Sequence, residues 1–180
     1  MFKLVKDISS LSHDIIDKYI ENKNLAIDCT LGNGYDSDFL SENFNKVIAF
    51  DIQEMAITNY KNKNKDNVYL IQDSHDKLNE YVKESADCII YNLGFLPGGN
   101  KEITTMKDST MNSIIQALDL LNEGGIILIA IYSGHNEGAR EKTCILEFAE
   151  NLPKNKYGAM KFEYVNRNNN PPMLLCIEKK

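Results

Sequence analysis

The chain has 180 residues, a net charge of −6 at pH 7, and 43% apolar against 26% charged residues. That length supports one domain, residues 1–180, able to bury roughly 70% of its unfolded surface without disulfide staples. Its apolar runs fall short of the roughly 20 residues of a membrane span, and its negative charge argues against sequence-blind binding of a polyanion.

Met1-Phe2-Lys3-Leu4-Val5-Lys6-Asp7 carries no signal-peptide pattern, so a cytoplasmic protein is expected. From Ile8 to Tyr19 the apolar residues fall at helical spacing, with Ser9 or Ser10 as the cap and His13 on the helix surface. Leu25-Ala26-Ile27 begins a first strand. It ends in Asp28 and runs into Cys29-Thr30-Leu31-Gly32-Asn33-Gly34-Tyr35-Asp36. Two glycines there bring bare backbone close to a ligand, and the helix expected from Asp36 to Phe44 aims its free N–H groups at it. Asn33, Gly34 and Asp36 are candidates for that contact; making the turn is their alternative role. A carboxylate ending an apolar strand is costly without a partner, which makes Asp28 a candidate ligand residue, with turn capping as the alternative.

Val47 to Phe50 reads as a second strand ending in Asp51, an acid suited to grip a ribose diol. Gln53 follows, able to reach an adenine or to start the helix expected over Met55 to Tyr60. Val68 to Ile71 is a third strand, followed by Asp73 and then Ser74-His75, where an adenine edge would rest; capping is the alternative for His75. A short helix over Leu78 to Val82 precedes a fourth strand, Ala86 to Tyr91, which enters the loop Asn92-Leu93-Gly94-Phe95.

Thr104 to Leu121 has the period of a long helix, ended by Gly124-Gly125. Ile126 to Ile131 is a fully apolar fifth strand. His135 follows it beside Tyr132, Ser133 and Gly134, either as an acceptor for a substrate proton or as a loop anchor. A helix over Glu137 to Leu152 and two late strands, Phe162 to Val165 and Met173 to Ile177, complete the chain. Continuously apolar strands alternating with helices are those of a parallel sheet covered on both faces. Cys29, Cys88, Cys144 and Cys176 show no C-x-x-C pair and no zinc spacing, so packing thiols and no metal site are expected. The C-terminal Lys154, Lys156, Lys161, Arg167, Lys179 and Lys180 face only Glu163 and Glu178, which leaves a local basic face or a solvated tail.

The glycine turn alone is weak. Ser37 stands where the dinucleotide fingerprint has its third glycine, and Asp51 lies 19 residues after Gly32, a spacing that suits NAD or another nucleoside. Polar residues at the ends of all four early strands tip the balance. They resemble those of class I S-adenosylmethionine (SAM)-dependent methyltransferases. More closely, the glycine turn, Asn92-Leu93-Gly94-Phe95-Leu96-Pro97-Gly98-Gly99, Tyr132-Ser133-Gly134-His135-x-x-Gly138 and Asn168-x-x-Pro171-Pro172 are similar to the family labelled putative rRNA methylase. That family includes bacterial tRNA 5-aminomethyl-2-thiouridine methyltransferases. The chain departs from it by Phe95 in place of Tyr, which keeps a ring, and by Asn100 in place of Asp, which removes a charge.

The resemblance implies a Rossmann-like α/β fold. Its mostly parallel seven-stranded sheet would have order 3-2-1-4-5-7-6, with strand 7 antiparallel and helices on both faces. It implies SAM as cofactor, held by Asp28, Asn33, Gly34, Asp36, Asp51, Gln53, Ser74 and His75. It implies methylation of the 5-aminomethyl nitrogen of uridine 34 in the tRNA anticodon arm, an in-line displacement at a sulfonium carbon. By likeness to the Asn-Pro-Pro-Tyr turn of amino-methyltransferases, Asn92 accepts from the amine and Phe95 stacks on the base. A homodimer is compatible with this reading. A methyltransferase for another RNA or a small amine, and a non-catalytic nucleotide-binding or NAD-binding protein, remain alternatives. A basic patch of Lys101, Lys107, Arg140, Lys142 and Arg167 would favour RNA.

Overall fold

The computed structural model of the chain describes residues 2, 5–94, 105–134 and 136–180. Helix α1, Ile8–Tyr19, begins at Asp7, whose carboxylate accepts from the Ser10 N–H at 2.9 Å. The cap is therefore Asp7, two residues before the first of the serines expected to supply it, and Ser9 is left free to bond elsewhere. Strand β1 is Leu25–Asp28, helix α2 Tyr35–Asn43, strand β2 Lys46–Phe50, helix α3 Glu54–Lys61 and strand β3 Val68–Ile71. A 3-10 turn, His75–Lys77, leads into helix α4, Leu78–Tyr81. Strand β4, Ala86–Leu93, is followed by helix α5, Lys107–Leu120, strand β5, Leu121–Ile131, and helix α6, Asn136–Glu150. Strands β6, Tyr157–Phe162, and β7, Met173–Lys179, close the chain.

The strands form one sheet of order β3-β2-β1-β4-β5-β7-β6. Pairs from β3 through β5 are parallel, and β7 runs antiparallel to both β5 and β6. Successive side chains of a strand point to opposite faces. Leu25, Ile27 and Cys29 thus pack in one core with Ile114 and Ala117 of α5 and Ile145 of α6. Ala26 belongs to the other core, with Ile15 and Ile16 of α1 and Leu40 of α2. Burial on both faces is what the unbroken apolar runs of β1, β4 and β5 reflect.

Strand β6 begins at Tyr157, earlier than the stretch 162–165 expected from sequence. It is an edge strand whose middle, Gly158 to Lys161, is exposed, so it lacks an apolar run. Phe162, the last residue of β6, and Tyr164, beyond it, pack partly buried against the α1 side. Helix α5 does not end on glycine: Leu121 is already extended, with φ −68° and ψ 131°. Gly125 serves the start of β5, because a Cβ there would lie 2.9 Å from the Asn122 carbonyl oxygen. Among the described residues, no helix is long and apolar enough to cross a membrane.

The sheet order reverses between β1 and β4, since β1 has β2 on one side and β4 on the other. Ligands of open α/β sheets lie beyond the carboxyl ends of strands at such a switch point.

Candidate functional site

The turn after β1 is built around Asp28. Its carboxylate accepts from the Thr30 N–H at 3.0 Å and from the Ser37 hydroxyl at 2.6 Å. It is 0% exposed and is not among the residues that line the cavity described below, a placement that matches the turn-capping alternative. The cost of an apolar strand ending in a carboxylate is offset by these internal bonds instead. Burial, and next the nearby charge of Asp36, push its pKa up to about 7. Because the folded value is raised, the stability this group contributes is fully present below its unfolded value of about 3.9 and is lost as pH rises through about 7. Urea unfolding at pH 5 and pH 8 should show the wild-type chain losing roughly 3 kcal/mol across that window that Asp28→Asn retains. Parallel losses in the two proteins would mean that Asp28 is ionised throughout.

Gly32 and Gly34 hold φ of 53° and 78°, a region that L side chains rarely adopt. Gly34 heads α2, and a Cβ on it would fall 2.2 Å from Cδ2 of the buried Tyr60. The turn therefore needs glycine for both conformation and space. Asp51, after β2, accepts from the Gly32 N–H at 2.8 Å and the Gln53 N–H at 2.9 Å. One carboxylate thus ties the glycine turn to the head of α3 and still has free lone pairs for two further donors.

After β3, the Ser74 hydroxyl oxygen caps the 3-10 turn by accepting from Asp76 N–H at 3.5 Å. His75 is buried, with its ring edge-on to Tyr91. Burial pushes its pKa down to about 4, so the imidazole is neutral at pH 7. Its Nδ1 has no hydrogen-bond partner among the described residues, although His75 lines the cavity. A buried polar atom of this kind is costly unless a ligand completes it.

At the end of β4, the Asn92 N–H donates to the Thr30 hydroxyl oxygen at 2.7 Å. Its side-chain Nδ2 donates to Asp36 Oδ2 at 2.5 Å. That bond turns the Asn92 amide oxygen, an acceptor, away from Asp36. Asp36 also accepts from the Ser9 hydroxyl at 2.8 Å, and its Oδ1 lies 2.6 Å from His13 Nε2. Burial raises the Asp36 pKa, but the bonds from His13, Ser9 and Asn92 outweigh it and hold the carboxyl below its usual range. His13, expected on the helix surface, is partly buried: its ring stacks on Phe39, with centroids 3.8 Å apart. Sequence reasoning missed Ser9 and His13 as site residues. The available signal was their i,i+4 spacing on one face of α1, opposite a helix that opens with an acid.

These groups surround one cavity of about 830 Å³, within the usual range for small-molecule sites. Its lining includes Asn33, Gly34, Asp36, Asp51, Gln53, Ser74, His75 and Asn92, all expected from sequence. It also includes Ser9, Thr105, Met106, Tyr132 and Asn170. Asn170 is the lining residue from the segment 168–172. Phe95 and His135 lie outside the described residues, as do Asn100 and Lys101. Cys29 lines the cavity too, but burial raises its thiol far above the usual range, which excludes it as a nucleophile at neutral pH. Among the described residues, no three His, Cys, Asp or Glu side chains cluster as metal ligands would.

The arrangement has a carboxylate with spare acceptors at β2, a neutral imidazole at β3, and an oriented amide acceptor at β4. It suits a nucleoside next to a hydrogen-bond donor. Comparison with known proteins agrees. The family model "Putative rRNA methylase" matches residues 47–178. The chain is 30% identical over 193 aligned positions to a chloroplastic tRNA (mnm(5)s(2)U34)-methyltransferase of Arabidopsis thaliana, covering 97% of this chain and 70% of that one. It is 35% identical, with a TM-score of 0.93, to the solved structure of a "putative rRNA-methylase" from Clostridium thermocellum, over 98% of this chain and 99% of that one. A "putative methyltransferase" from Streptococcus mutans, solved in complex with SAH, is 37% identical with a TM-score of 0.90, over 98% and 99% of the two chains. The chain belongs to the putative rRNA methylase family, and it is a SAM-dependent methyltransferase.

Proposed function

We propose that this enzyme methylates the 5-aminomethyl nitrogen of uridine or 2-thiouridine at wobble position 34 of tRNA, in the cytoplasm. The observation that carries the reading is the Asn92 amide, whose nitrogen is engaged by Asp36 and whose oxygen is thereby left to accept from an amine. Kinship with the Arabidopsis thaliana wobble-uridine methyltransferase supports the substrate.

The site residues fit the cofactor. The spare acceptors of Asp51 suit a ribose diol, and the unpaired His75 Nδ1 suits a base edge, with Gln53 and Ser74 beside it. The turn through Asn33 and Gly34 offers bare backbone, and the ionised Asp36 offers a countercharge to a cationic group. When bound, SAM supplies a methyl group on a sulfonium, already a good leaving group. Asn92 then orients the neutral amine so that its lone pair meets that carbon at about 3–3.5 Å. Oxygens aimed at the nitrogen stabilise the positive charge that grows there. In this reading His135 takes the departing proton and Phe95 stacks on the uracil ring.

A stacked ring contributes about 1–3 kcal/mol per base. Phe95→Ala should therefore lower kcat/KM on tRNA roughly 5- to 150-fold with SAM affinity unchanged. Unchanged turnover would remove Phe95 from the base site. The reading itself is tested by incubating enzyme and SAM with tRNA that lacks the terminal methyl group. Nucleoside mass spectrometry should show a gain of one methyl on the modified uridine.

One observation favours a second reading, a small amine or another RNA. Of the cations expected to form a basic patch, Lys107, Arg140 and Lys142 each stand within 4.0 Å of a carboxylate, and Arg167 lies over the Tyr164 ring. Methyl gain on a free amine but none on tRNA would decide for it. A homodimer would widen the face offered to an anticodon arm, and sedimentation at micromolar concentration reads that directly.

A further inference from the structure

Helix α6 contributes no described side chain to the cavity lining, yet it buries a carboxylate. Glu141 is 1% exposed. Its Oε1 accepts from the Thr110 hydroxyl at 2.5 Å and its Oε2 from the Thr105 hydroxyl at 3.0 Å. Thr105 in turn is joined to Gly94 by two bonds. The Gly94 N–H donates to the Thr105 hydroxyl oxygen at 2.9 Å, and the Thr105 N–H donates to the Gly94 carbonyl at 3.0 Å. Gly94 directly follows β4, two residues after Asn92, and its φ of 141° is one that other residues rarely adopt.

We propose that Thr105, oriented by Glu141, is a positioning residue that anchors Gly94 and so holds the end of β4, with Asn92, in its amine-accepting geometry. The proposal rests on the assignment of Asn92 as the amine acceptor. The chemistry fixes the direction of every bond. A hydroxyl has one proton to give. The Gly94 N–H can only donate, so the Thr105 hydroxyl oxygen accepts there and its proton goes to the Glu141 carboxyl oxygen. The lone pairs of Thr105 are then turned to the Gly94 N–H. A carboxylate buried in α6 is thereby coupled, through one hydroxyl, to backbone two residues from Asn92. Geometry looser by about 1 Å at a reacting group can cost on the order of 100-fold in rate.

Thr105→Val keeps the shape and removes the hydroxyl. It should lower kcat at least tenfold while KM for tRNA and the affinity for SAM stay within threefold of wild type. Thr105→Ser, which restores the hydroxyl, should return kcat to within threefold. Glu141→Gln introduces a donor where both threonines need an acceptor and should lower kcat at least threefold. The double variant Thr105→Val with Glu141→Gln should be no slower than Thr105→Val alone. Ile145→Val, a core change in α6 away from the cavity, is the control for lost stability and should keep kcat within twofold. A merely structural role would make Thr105→Val and Ile145→Val equivalent once matched for stability, and that result overturns the proposal. Amide hydrogen exchange on the wild-type chain reads the clamp without any substrate. The Gly94 N–H should be protected at least 100-fold, and exchange at the rate of an open loop also overturns the proposal. A wild-type chain that methylates no tRNA would sink the substrate reading and leave the exchange measurement to decide the clamp.

Discussion

Replacing Asn92 by alanine is expected to lower methyl transfer about 100- to 1,000-fold, the usual effect of deleting one preorganised group aimed at developing charge. The affinity for SAM should change little, because the Asn92 amide oxygen points away from its bond with Asp36. Two features make the effect large. The amide is locked at both ends, by Thr30 at its backbone N–H and by Asp36 at its Nδ2, so little reorganisation is needed when the substrate arrives. Moreover, the cationic centre forms on the substrate nitrogen, and an oxygen already in place is worth most inside a cavity that excludes water. Asn92→Asp is the sharper variant. It puts a second carboxylate against Asp36, and two such groups in contact cannot both ionise. Single-turnover rates with saturating SAM check both. A loss below fivefold in Asn92→Ala would mean that the amine is held by other groups.

Asp51→Ala should weaken SAM binding by about 100-fold or more. Hydrogen bonds from ligand hydroxyls to a charged acceptor contribute about 1.5–3 kcal/mol each, and a ribose offers two. The same substitution removes the acceptor for the Gly32 and Gln53 N–H groups, so the glycine turn and the head of α3 lose their tie. Titration calorimetry with SAM and with SAH gives the dissociation constants. A parallel titration with NAD should show no binding to the wild type. Weakening of less than fivefold would take Asp51 out of the ribose site and send the search back to the other lining residues.

Much of the fold was legible because its signals are local. The helical period over Ile8–Tyr19 matches α1 end to end, and the apolar run Val68–Ile71 matches β3. The glycine turn after β1 was readable because steric rules tie positive φ to glycine. Edges were less readable. Strand β6 faces solvent over most of its length and so carries no apolar signature. Strand order did not come from periodicity either; it was implied by family resemblance, since pairing is set by contacts distant in sequence.

The site shows the same division. Asp51 and Gln53 were found from their place after a strand, and both line the cavity. Asp28 was found by the same logic and is buried behind the turn, because Ser37, nine residues on, reaches back to its carboxylate. His13 and Ser9 reach Asp36 across 23 and 27 residues, and Thr105 reaches Glu141 across 36. The i,i+4 spacing of Ser9 and His13 puts them on one face of α1, but no local spacing names a partner so far along the chain.

The sequence by itself determined the succession of strands and helices and the glycine turn, because backbone sterics and side-chain period act within a few residues. Only the tertiary structure decided which carboxylate turns inward to hold the turn and which turns outward to the cavity. That choice follows from the dielectric and the hydrogen-bond donors that packing brings to each oxygen, and those come from parts of the chain far from the residue they control.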